Sequence, residues 1–262
     1  MIGIFDSGLG GLTALREAVC LLPGRDIVYF GDTGRIPYGT RSPETIIRYA
    51  RQDMRFLCGE GVDVVLAACG TVSSTALDTL RQEFDLSIIG VVEGAAQTAV
   101  QRTKNRKIGL LATGATVSSG AFAREIGALD PQVELVSVAC PLLVSLVENG
   151  HIADDDPMVE LALADYLAPV REAGVDTIIL GCTHFPILAG AIARVMPGVT
   201  LINSGAEAAK LLADQVPPIG EGETGRVRYF VSDSAPGFAR LASIFLGAEI
   251  EAEVNRIEIE RF

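Results

Sequence analysis

Two stretches of the chain match each other closely: Gly61–Thr71, which reads GVDVVLAACGT, and Gly174–His184, which reads GVDTIILGCTH. Each stretch begins at a glycine, continues as a short apolar run and reaches a cysteine, Cys69 or Cys182. An apolar run of about 4–8 residues is typical of a strand that is buried on both faces of a parallel sheet. The repeat therefore predicts two equivalent strands, each followed by a cysteine at its carboxyl end.

A weaker pair of similar segments accompanies this repeat. Ile2–Gly8 reads IGIFDSG, and Ile108–Gly114 reads IGLLATG. The two pairs keep the same order and similar separations along the chain, which favours two related α/β halves, although shared strand composition also produces such matches by chance. If the repeat is real, Cys69 and Cys182 occupy equivalent positions, and a cleft between the halves carries one thiol on each wall.

Short apolar runs alternate with amphipathic stretches along the whole chain. The predicted strands are Met1–Phe5, Asp26–Gly31, Val62–Ala68, Ser87–Val91, Lys107–Ala112, Val133–Val138, Val175–Leu180, Val199–Ile202, Arg226–Val231 and Arg256–Ile259. The predicted helices include Thr13–Leu21, Pro43–Cys58, Ser73–Phe84, Pro157–Ala173 and a segment at about 236–246. Buried strands separated by helices predict an α/β fold with mainly parallel sheets flanked by helices.

The repeat and the alternation together predict two pseudo-symmetric α/β domains, with the active site in the cleft between them. We expect the first domain to be discontinuous and to contain residues 1–93 and 205–262. The second domain is expected to contain residues 94–204. Ser42 is the predicted N-cap of the helix that starts at Pro43 and ends near Gly59.

Composition excludes several classes of protein. The 262 residues are 49% hydrophobic, which is far too apolar for a disordered chain. A formal charge of −12 argues against nucleic acid or an anionic membrane as a partner. No apolar run is long enough to span a bilayer, and the first residues lack a basic signal segment. An odd count of five cysteines predicts reduced thiols and a cytoplasmic location.

The cysteines divide into two groups by their predicted positions. Cys69 and Cys182 each lie between a strand and a helix, at the sheet edge where open α/β folds bind ligands. The free N–H groups of a helix N-terminus stabilise a thiolate there. The simpler interpretation of any cysteine is a small buried apolar residue. We keep that interpretation for Cys20, Cys58 and Cys140.

The segment Asp6–Gly11, which reads DSGLGG, partly resembles a dinucleotide-binding turn, with Asp32 where an acid would bind a ribose. The full glycine spacing is missing, however, and Asp6 would repel a pyrophosphate. We therefore predict that Asp6 and Ser7 are polar groups at a strand end that faces the cleft.

One of the two histidines, His184, lies two positions after Cys182. It is a candidate general acid or base, or a group that stabilises the neighbouring thiolate. Glu148 is a candidate partner for it, with a solvated acid at a helix end as the alternative. A zinc site is not predicted, because three or four suitably spaced ligands are missing. The acids at Asp154–Asp156 are interpreted as a loop with a helix cap before a proline.

These motifs together resemble the glutamate racemases of the cofactor-independent aspartate/glutamate racemase superfamily. The resemblance covers nearly the whole chain. It is carried by Gly3–Leu12, Tyr29–Thr33, Pro37–Gly39, Ala68–Thr71, Ala139–Pro141, Leu146–Glu148, Gly181–Pro186 and the tail segments Tyr229–Phe230 and Phe245–Gly247.

The resemblance implies interconversion of L- and D-glutamate without a cofactor or metal, with D-glutamate feeding peptidoglycan synthesis. It implies that Cys69 and Cys182 are the two catalytic groups, one removing the Cα proton as a thiolate and the other delivering a proton to the opposite face. Asp6 would assist near Cys69. His184, supported by Glu148, would assist near Cys182.

The resemblance also identifies substrate-holding positions, which are Asp6, Ser7, Tyr38, Gly39, Gly70, Thr71, Thr183 and His184. Thr113 or Thr116 would contribute a further hydroxyl but rank lower. The family usually has asparagine after the first cysteine, whereas this chain has Gly70. Two alternatives therefore stay open: a racemase of aspartate or another acidic amino acid, and a non-catalytic ligand-binding homologue. A homodimer is compatible with the resemblance, although no interface can be assigned.

Overall fold

The computed structural model describes residues 1–217 and 225–262. The strands are β1 Ile2–Asp6, β2 Ile27–Gly31, β3 Val64–Ala67, β4 Ser87–Gly90, β5 Lys107–Ala112, β6 Glu134–Ala139, β7 Thr177–Leu180, β8 Thr200–Asn203, β9 Val227–Val231 and β10 Val254–Arg256. The helices are α1 Leu12–Leu21, α2 Pro43–Gly59, α3 Gly70–Thr75, α4 Leu77–Glu83, α5 Val92–Arg102, α6 Gly114–Ser119, α7 Ala121–Leu129, α8 Pro141–Glu148, α9 Pro157–Tyr166, α10 Ala168–Glu172, α11 Ala189–Val195, α12 Ser204–Gln215 and α13 Ala235–Leu246. Short 3-10 helices lie at Tyr38–Thr40, Phe185–Leu188 and Ile259–Arg261.

The strands form two sheets, and the α/β fold is confirmed. The first has the order β10-β9-β2-β1-β3-β4, and the second has the order β6-β5-β7-β8. The strand pairs of both sheets are parallel. Strands such as β1 and β2 are buried along their whole length, as expected for a sheet covered by helices on both faces.

The internal repeat corresponds to a repeated strand order. Read from one edge, the first sheet contains β4-β3-β1-β2 and the second contains β8-β7-β5-β6, so each strand has an equivalent four strands later. The stretch that ends at Cys69 contains β3, and the stretch that ends at Cys182 contains β7, its equivalent. The two predicted pseudo-symmetric halves are therefore present, with β9 and β10 extending only the first sheet.

Helices α1, α12 and α5 pack in series between the halves. The apolar face of α1 includes Leu12, Leu15 and Ala18, which are fully buried. Helix α1 packs on α12, and α12 in turn packs on α5, which covers the second sheet. The predicted domain boundaries after residues 93 and 204 fall within α5 and at the start of α12, so their positions stay a prediction. Residues 218–224 of the predicted first domain lie outside the described residues.

The predicted helix caps are confirmed. Helix α2 starts at Pro43, and the Ser42 hydroxyl accepts a hydrogen bond from the Thr45 N–H at 3.4 Å. Asp156 likewise caps α9, since one of its carboxylate oxygens accepts from the N–H groups of Met158 and Val159. Both caps satisfy N–H groups that have no partner within the first helical turn.

Three predicted elements differ from the structure. The helix predicted over 73–84 starts earlier and breaks at Ala76, between α3 and α4, because the serines of α3 bond to backbone carbonyls. The helix predicted over 157–173 breaks at Leu167, two residues before Pro169, which cannot donate a helical hydrogen bond. The strand predicted at Arg256–Ile259 was wrong in its bounds, since β10 ends at Arg256 and buried Ile259 begins a 3-10 helix.

The prediction for the remaining cysteines is correct for one of three. Cys140 is fully buried, and burial raises the pKa of its thiol to about 12. Cys20 and Cys58 were wrongly predicted to be packing residues, because both are exposed. Cys20 lies one helical turn after exposed Arg16, and Cys58 follows exposed Arg55 at helical spacing, so each is on a solvent-facing side.

Within residues 1–217 and 225–262, no helix is both long and apolar enough to cross a membrane.

Candidate active site

A cavity of about 450 Å³ lies between the two halves of the molecule. Its lining residues are Ser7, Gly8, Ile36, Pro37, Tyr38, Gly39, Thr40, Cys69, Gly70, Thr71, Thr113, Gly114, Ala139, Pro141, Val144, Ser145, Glu148, Cys182, Thr183 and His184. Most of them follow the carboxyl ends of β1, β2 and β3 in the first sheet or of β5, β6 and β7 in the second. The carboxyl edges of the two sheets thus border one space, as the repeat predicts.

On the first wall, Cys69 lies between β3 and α3. The residue is 4% exposed, and its Sγ donates to Ser7 Oγ at 3.4 Å. Burial is the main cause that raises the pKa of Cys69 to about 12, and the negative charge of Asp6 adds to it. This sulfur is therefore a protonated thiol at neutral pH.

Asp6 is the last residue of β1 and is almost completely buried. Its Oδ2 accepts a hydrogen bond from the Gly8 N–H at 2.9 Å, while Oδ1 has no partner among the described residues. Burial raises the pKa of Asp6, whereas nearby His184 opposes that shift. Asp6 does not line the cavity itself, in contrast to Ser7, and its free oxygen is a strong acceptor held close to both walls.

On the second wall, a chain of contacts starts at Cys182, between β7 and the following 3-10 helix. The Sγ atom of Cys182 lies 3.9 Å from Nδ1 of His184, and Nε2 of His184 lies 3.0 Å from Oε1 of Glu148. Glu148 is the last residue of α8, so this helix brings it to His184 from 36 positions away. The structure thus pairs the two residues that the sequence left as candidates.

His184 carries a positive charge in this arrangement. Burial alone lowers the pKa of His184, but its contacts with Cys182 and Glu148 outweigh burial and raise the pKa to about 10. An imidazolium beside a sulfur stabilises the thiolate form of a cysteine. The two walls therefore differ at neutral pH, with a cationic partner beside Cys182 and a buried carboxyl group near Cys69.

We expect Glu148→Gln to lower the pKa of His184 from about 10, because the variant lacks the carboxylate that stabilises the imidazolium. Because folding raises the pKa of His184 above its usual 6.5, proton binding by His184 stabilises the folded state. This contribution is complete below about pH 6.5 and is lost as pH rises through about 10. The wild-type protein should therefore lose its stability advantage over the variant in alkaline solution. Imidazole titrations by NMR and urea unfolding across pH measure the two effects.

His151 is the internal control for this titration, since its Nδ1 contacts Asp156 at 2.8 Å, outside the cavity. The NMR signals of its ring at neutral pH should be the same in both proteins. An unchanged titration of His184 in the variant would contradict the role assigned to Glu148.

Close packing of two segments positions His184. A Cβ atom on Gly10 would overlap Thr183 Oγ1 and would lie 2.6 Å from Nδ1 of His184. The Thr13 hydroxyl, at the start of α1, donates to the Thr183 carbonyl at 3.0 Å. The glycines after β1 thus serve close approach between the halves, which explains their presence without a bound nucleotide.

The predicted substrate-holding residues lie together around the cavity, with Asp6 directly behind it. Those that line it are Ser7, Tyr38, Gly39, Gly70, Thr71, Thr183 and His184. Thr113 also lines it and shares a hydrogen bond of 3.0 Å with Thr71. Thr116 does not line the cavity, and its hydroxyl accepts from Thr113 instead. Hydroxyl groups from both halves are therefore linked at this edge.

Tyr38 lines the cavity, and its hydroxyl is bound by two buried acids. Its hydroxyl hydrogen bonds to the carboxylates of Asp32 and Asp53, which are both fully buried. Arg35 binds the same two carboxylates, at 2.6 Å to Asp32 and 3.0 Å to Asp53. Burial, together with the charge of Asp32, raises the pKa of Asp53 well above its usual range. The buried position of Asp32 is therefore explained by this network and does not require a bound ribose. The network also holds the Tyr38 loop in place.

Gly70 lies where the two halves touch. A Cβ atom built on it would overlap the carbonyl oxygen of Gly181, the residue before Cys182. A Cβ atom and a backbone carbonyl oxygen are both fixed by the backbone, so neither can rotate away as the end of a long side chain would. Glycine at this position, where the family usually has asparagine, therefore allows the turns that carry Cys69 and Cys182 to approach each other closely.

Several lining residues were missed by the sequence analysis. Val144 and Ser145 lie on α8, and Ser145 precedes Glu148 by three positions, so that helical spacing places both on one face. That spacing was the available signal. Thr40 follows the predicted Tyr38 and Gly39 directly and had no separate signal. In the described part of the chain, no group of three or more His, Cys, Asp or Glu side chains is arranged to hold a metal ion.

Comparison with known proteins places the chain in a family. The family described as Asp/Glu/Hydantoin racemase matches residues 12–212. A glutamate racemase from Desulforudis audaxviator is 44% identical over 261 residues, which cover 95% of this chain and 95% of that protein.

Solved structures give the same result. The glutamate racemase isoform RacE1 from Bacillus anthracis superposes with a TM-score of 0.93 at 32% identity, covering 98% of this chain and 97% of that one. A glutamate racemase from Francisella tularensis, solved in complex with D-glutamate, has a TM-score of 0.92 at 32% identity and covers 100% and 98% of the two chains. The chain belongs to the Asp/Glu/hydantoin racemase family and, within it, to the glutamate racemases.

Proposed function

We propose that this protein interconverts L- and D-glutamate by a two-base mechanism in which Cys69 and Cys182 are the catalytic groups. The observation that carries the proposal is the placement of these two thiols in equivalent strand-to-helix turns, on the two sides of one cavity. A single base tends to return a proton to the face it came from. Two groups on opposite sides allow removal from one face and delivery to the other.

The proposed reaction balances in protons and charge. A thiolate takes the Cα proton and becomes a thiol, while the electron pair of the broken C–H bond remains on the substrate. The opposite thiol then donates its proton to Cα and becomes a thiolate. After one turnover the two cysteines have exchanged their protonation states. The reverse reaction restores the starting state, and so does proton exchange with solvent after the product leaves.

The differences between the walls support an assignment for the resting protein. Cys182 would act as the base, next to the imidazolium of His184, which Glu148 supports. Cys69 would be the thiol, since burial and Asp6 raise its pKa to about 12. The neighbouring acid Asp6 would assist when Cys69 has to lose its proton.

Charge on the substrate would be balanced by neutral donors and by acids. The residues that line the described cavity include no lysine or arginine. The hydroxyls of Ser7, Thr71 and Thr183 and the free N–H groups at the start of α3 would bind the carboxylates. Glu148 would attract the ammonium group. Fixed donors are needed because a proton next to a carboxylate is very weakly acidic, and the negative charge that develops must be stabilised.

Incubation of the purified protein with L-glutamate in D2O, without added cofactor, tests the proposal. We expect D-glutamate to form with solvent deuterium at Cα, because the proton delivered comes from a thiol that exchanges with solvent. Chiral chromatography measures the first result and mass spectrometry the second. A parallel incubation with L-aspartate tests the alternative substrate.

Each outcome separates the alternatives. Activity on aspartate alone would replace glutamate as the proposed substrate while keeping the chemistry. Absence of deuterium from every acidic amino acid tested would contradict the enzymatic proposal and favour a ligand-binding homologue. We further propose that the protein supplies D-glutamate for peptidoglycan synthesis in the cytoplasm. The homodimer stays a prediction, which light scattering on the purified protein would test.

A further inference from the structure

A second cavity, of about 510 Å³, lies beside the first and is lined by residues of both halves. Gly39, Thr40 and Gly114 border both cavities. Arg41 enters from the loop after the Tyr38 segment, and Arg124 enters from α7 in the second half. A molecule bound here would contact both halves next to the catalytic cavity.

The charge of this second cavity is opposite to that of the protein. The chain has a formal charge of −12, yet the charged side chains that line the cavity are the two arginines. Neither Arg41 nor Arg124 forms an ion pair with a carboxylate within the described residues.

Hydrogen-bond donors accompany the arginines. Arg124 is held by a bond of 2.6 Å from Nη1 to the Ser119 carbonyl oxygen, which leaves its other N–H groups free to bind a ligand. Thr75 is one of the lining residues, and its buried hydroxyl oxygen has no partner among the described residues. Ser118 adds another hydroxyl to the lining. An unpaired buried hydroxyl costs free energy, which a bound acceptor would recover.

We propose that this cavity binds a phosphate group, either as the free ion or as part of a small phosphate ester, between Arg41 and Arg124. Guanidinium groups bind phosphate oxygens through paired, charge-assisted hydrogen bonds, and the hydroxyls serve the remaining oxygens. The cavity volume lies within the range of about 300–1,000 Å³ that small-molecule sites occupy. Because the ligand would contact both halves, it would link them beside the catalytic cavity.

Calorimetric titration of the full-length protein with inorganic phosphate, at constant ionic strength, tests the site. Arg41→Ala and Arg124→Ala should each weaken binding by about tenfold or more, since each removes charge-assisted hydrogen bonds. Arg171→Ala is the matched control, because it removes an exposed arginine of α10 that does not line the cavity. It should bind phosphate as the wild type does, and melting temperatures verify that all variants fold.

Two further arms locate the ligand and identify its source. Saturating L-glutamate should leave phosphate affinity unchanged, whereas displacement of phosphate by glutamate would place the ion in the catalytic cavity and overturn the proposal. Equal affinity in wild type and both arginine variants, or no binding at millimolar phosphate, would overturn it as well. Titration with glucose 6-phosphate distinguishes the sources: tighter binding than phosphate indicates an ester, and weaker binding indicates the free ion.

Discussion

Cys69→Ser and Cys182→Ser should each reduce the racemisation rate by about 10²–10⁴-fold, the range that a positioned acid or base contributes. A serine hydroxyl keeps the approximate size of the thiol but is much less acidic, so it can neither act as the base nor deliver the proton efficiently. Each cysteine lies on one side of the cavity, so loss of either one interrupts transfer in both directions.

The two variants should differ in isotope exchange, which makes this test specific. Each variant keeps one functional thiol, so it can still remove and return the proton of the enantiomer whose Cα–H bond points to that thiol. In D2O we expect one variant to exchange L-glutamate without inverting it and the other to exchange D-glutamate. Proton NMR of the Cα signal measures both.

Cys20→Ser is the matched control, because Cys20 is an exposed residue of α1 that does not line the cavity. It should racemise glutamate at the wild-type rate. Normal racemisation by Cys69→Ser or Cys182→Ser would contradict the two-thiol mechanism, and exchange of both enantiomers by one variant would show that a single group reaches both faces.

Gly70→Ala and Gly70→Asn should both impair racemisation by more than tenfold, although asparagine is the residue that the family usually has here. Any Cβ at this position overlaps the carbonyl oxygen of Gly181, so the turns that carry Cys69 and Cys182 must move apart. Overpacking of this kind costs about 1–3 kcal/mol of folding free energy. Measured changes in kcat, in KM and in the free energy of unfolding separate a displaced site from a generally destabilised fold.

Gly114→Ala is the matched control for this substitution. Gly114 also lines the cavity, but a Cβ there meets only the Gly39 carbonyl oxygen at 3.7 Å, which is ordinary contact. It should retain racemisation and stability close to wild type. Wild-type kinetics in Gly70→Ala would show that the contact with Gly181 does not control the spacing of the thiols.

The fold was predictable because its signal is local. Buried strands such as β3 and β7 have apolar runs whose length and composition differ from those of the amphipathic helices between them. The repeat added the relation between the halves, since equivalent strands have similar sequences. The prediction failed at Ile259, where the decisive contact is not local, because Ile259 is buried by packing against α2.

The candidate site was predictable to the extent that its residues follow strands. Parallel strands bring their carboxyl ends to one edge, so Ser7, Cys69, Thr113 and Cys182 could be expected at two edges facing a cleft. Sequence spacing could not establish the contact between His184 and Glu148, which lie 36 positions apart on different elements. It also could not separate buried Asp32, which holds the Tyr38 loop, from an acid that binds a ligand.

By itself the sequence determined the α/β class, the two related halves and the pairing of Cys69 with Cys182 as equivalent positions. These follow from hydrophobic periodicity and from similarity between segments, both of which are properties of the chain alone. Tertiary structure decided the environment of each thiol: the buried carboxyl group near Cys69, the imidazolium beside Cys182 and the contact of Gly70 with Gly181. Protonation and spacing depend on burial and on distances between groups that are remote in sequence, and only the folded chain establishes them.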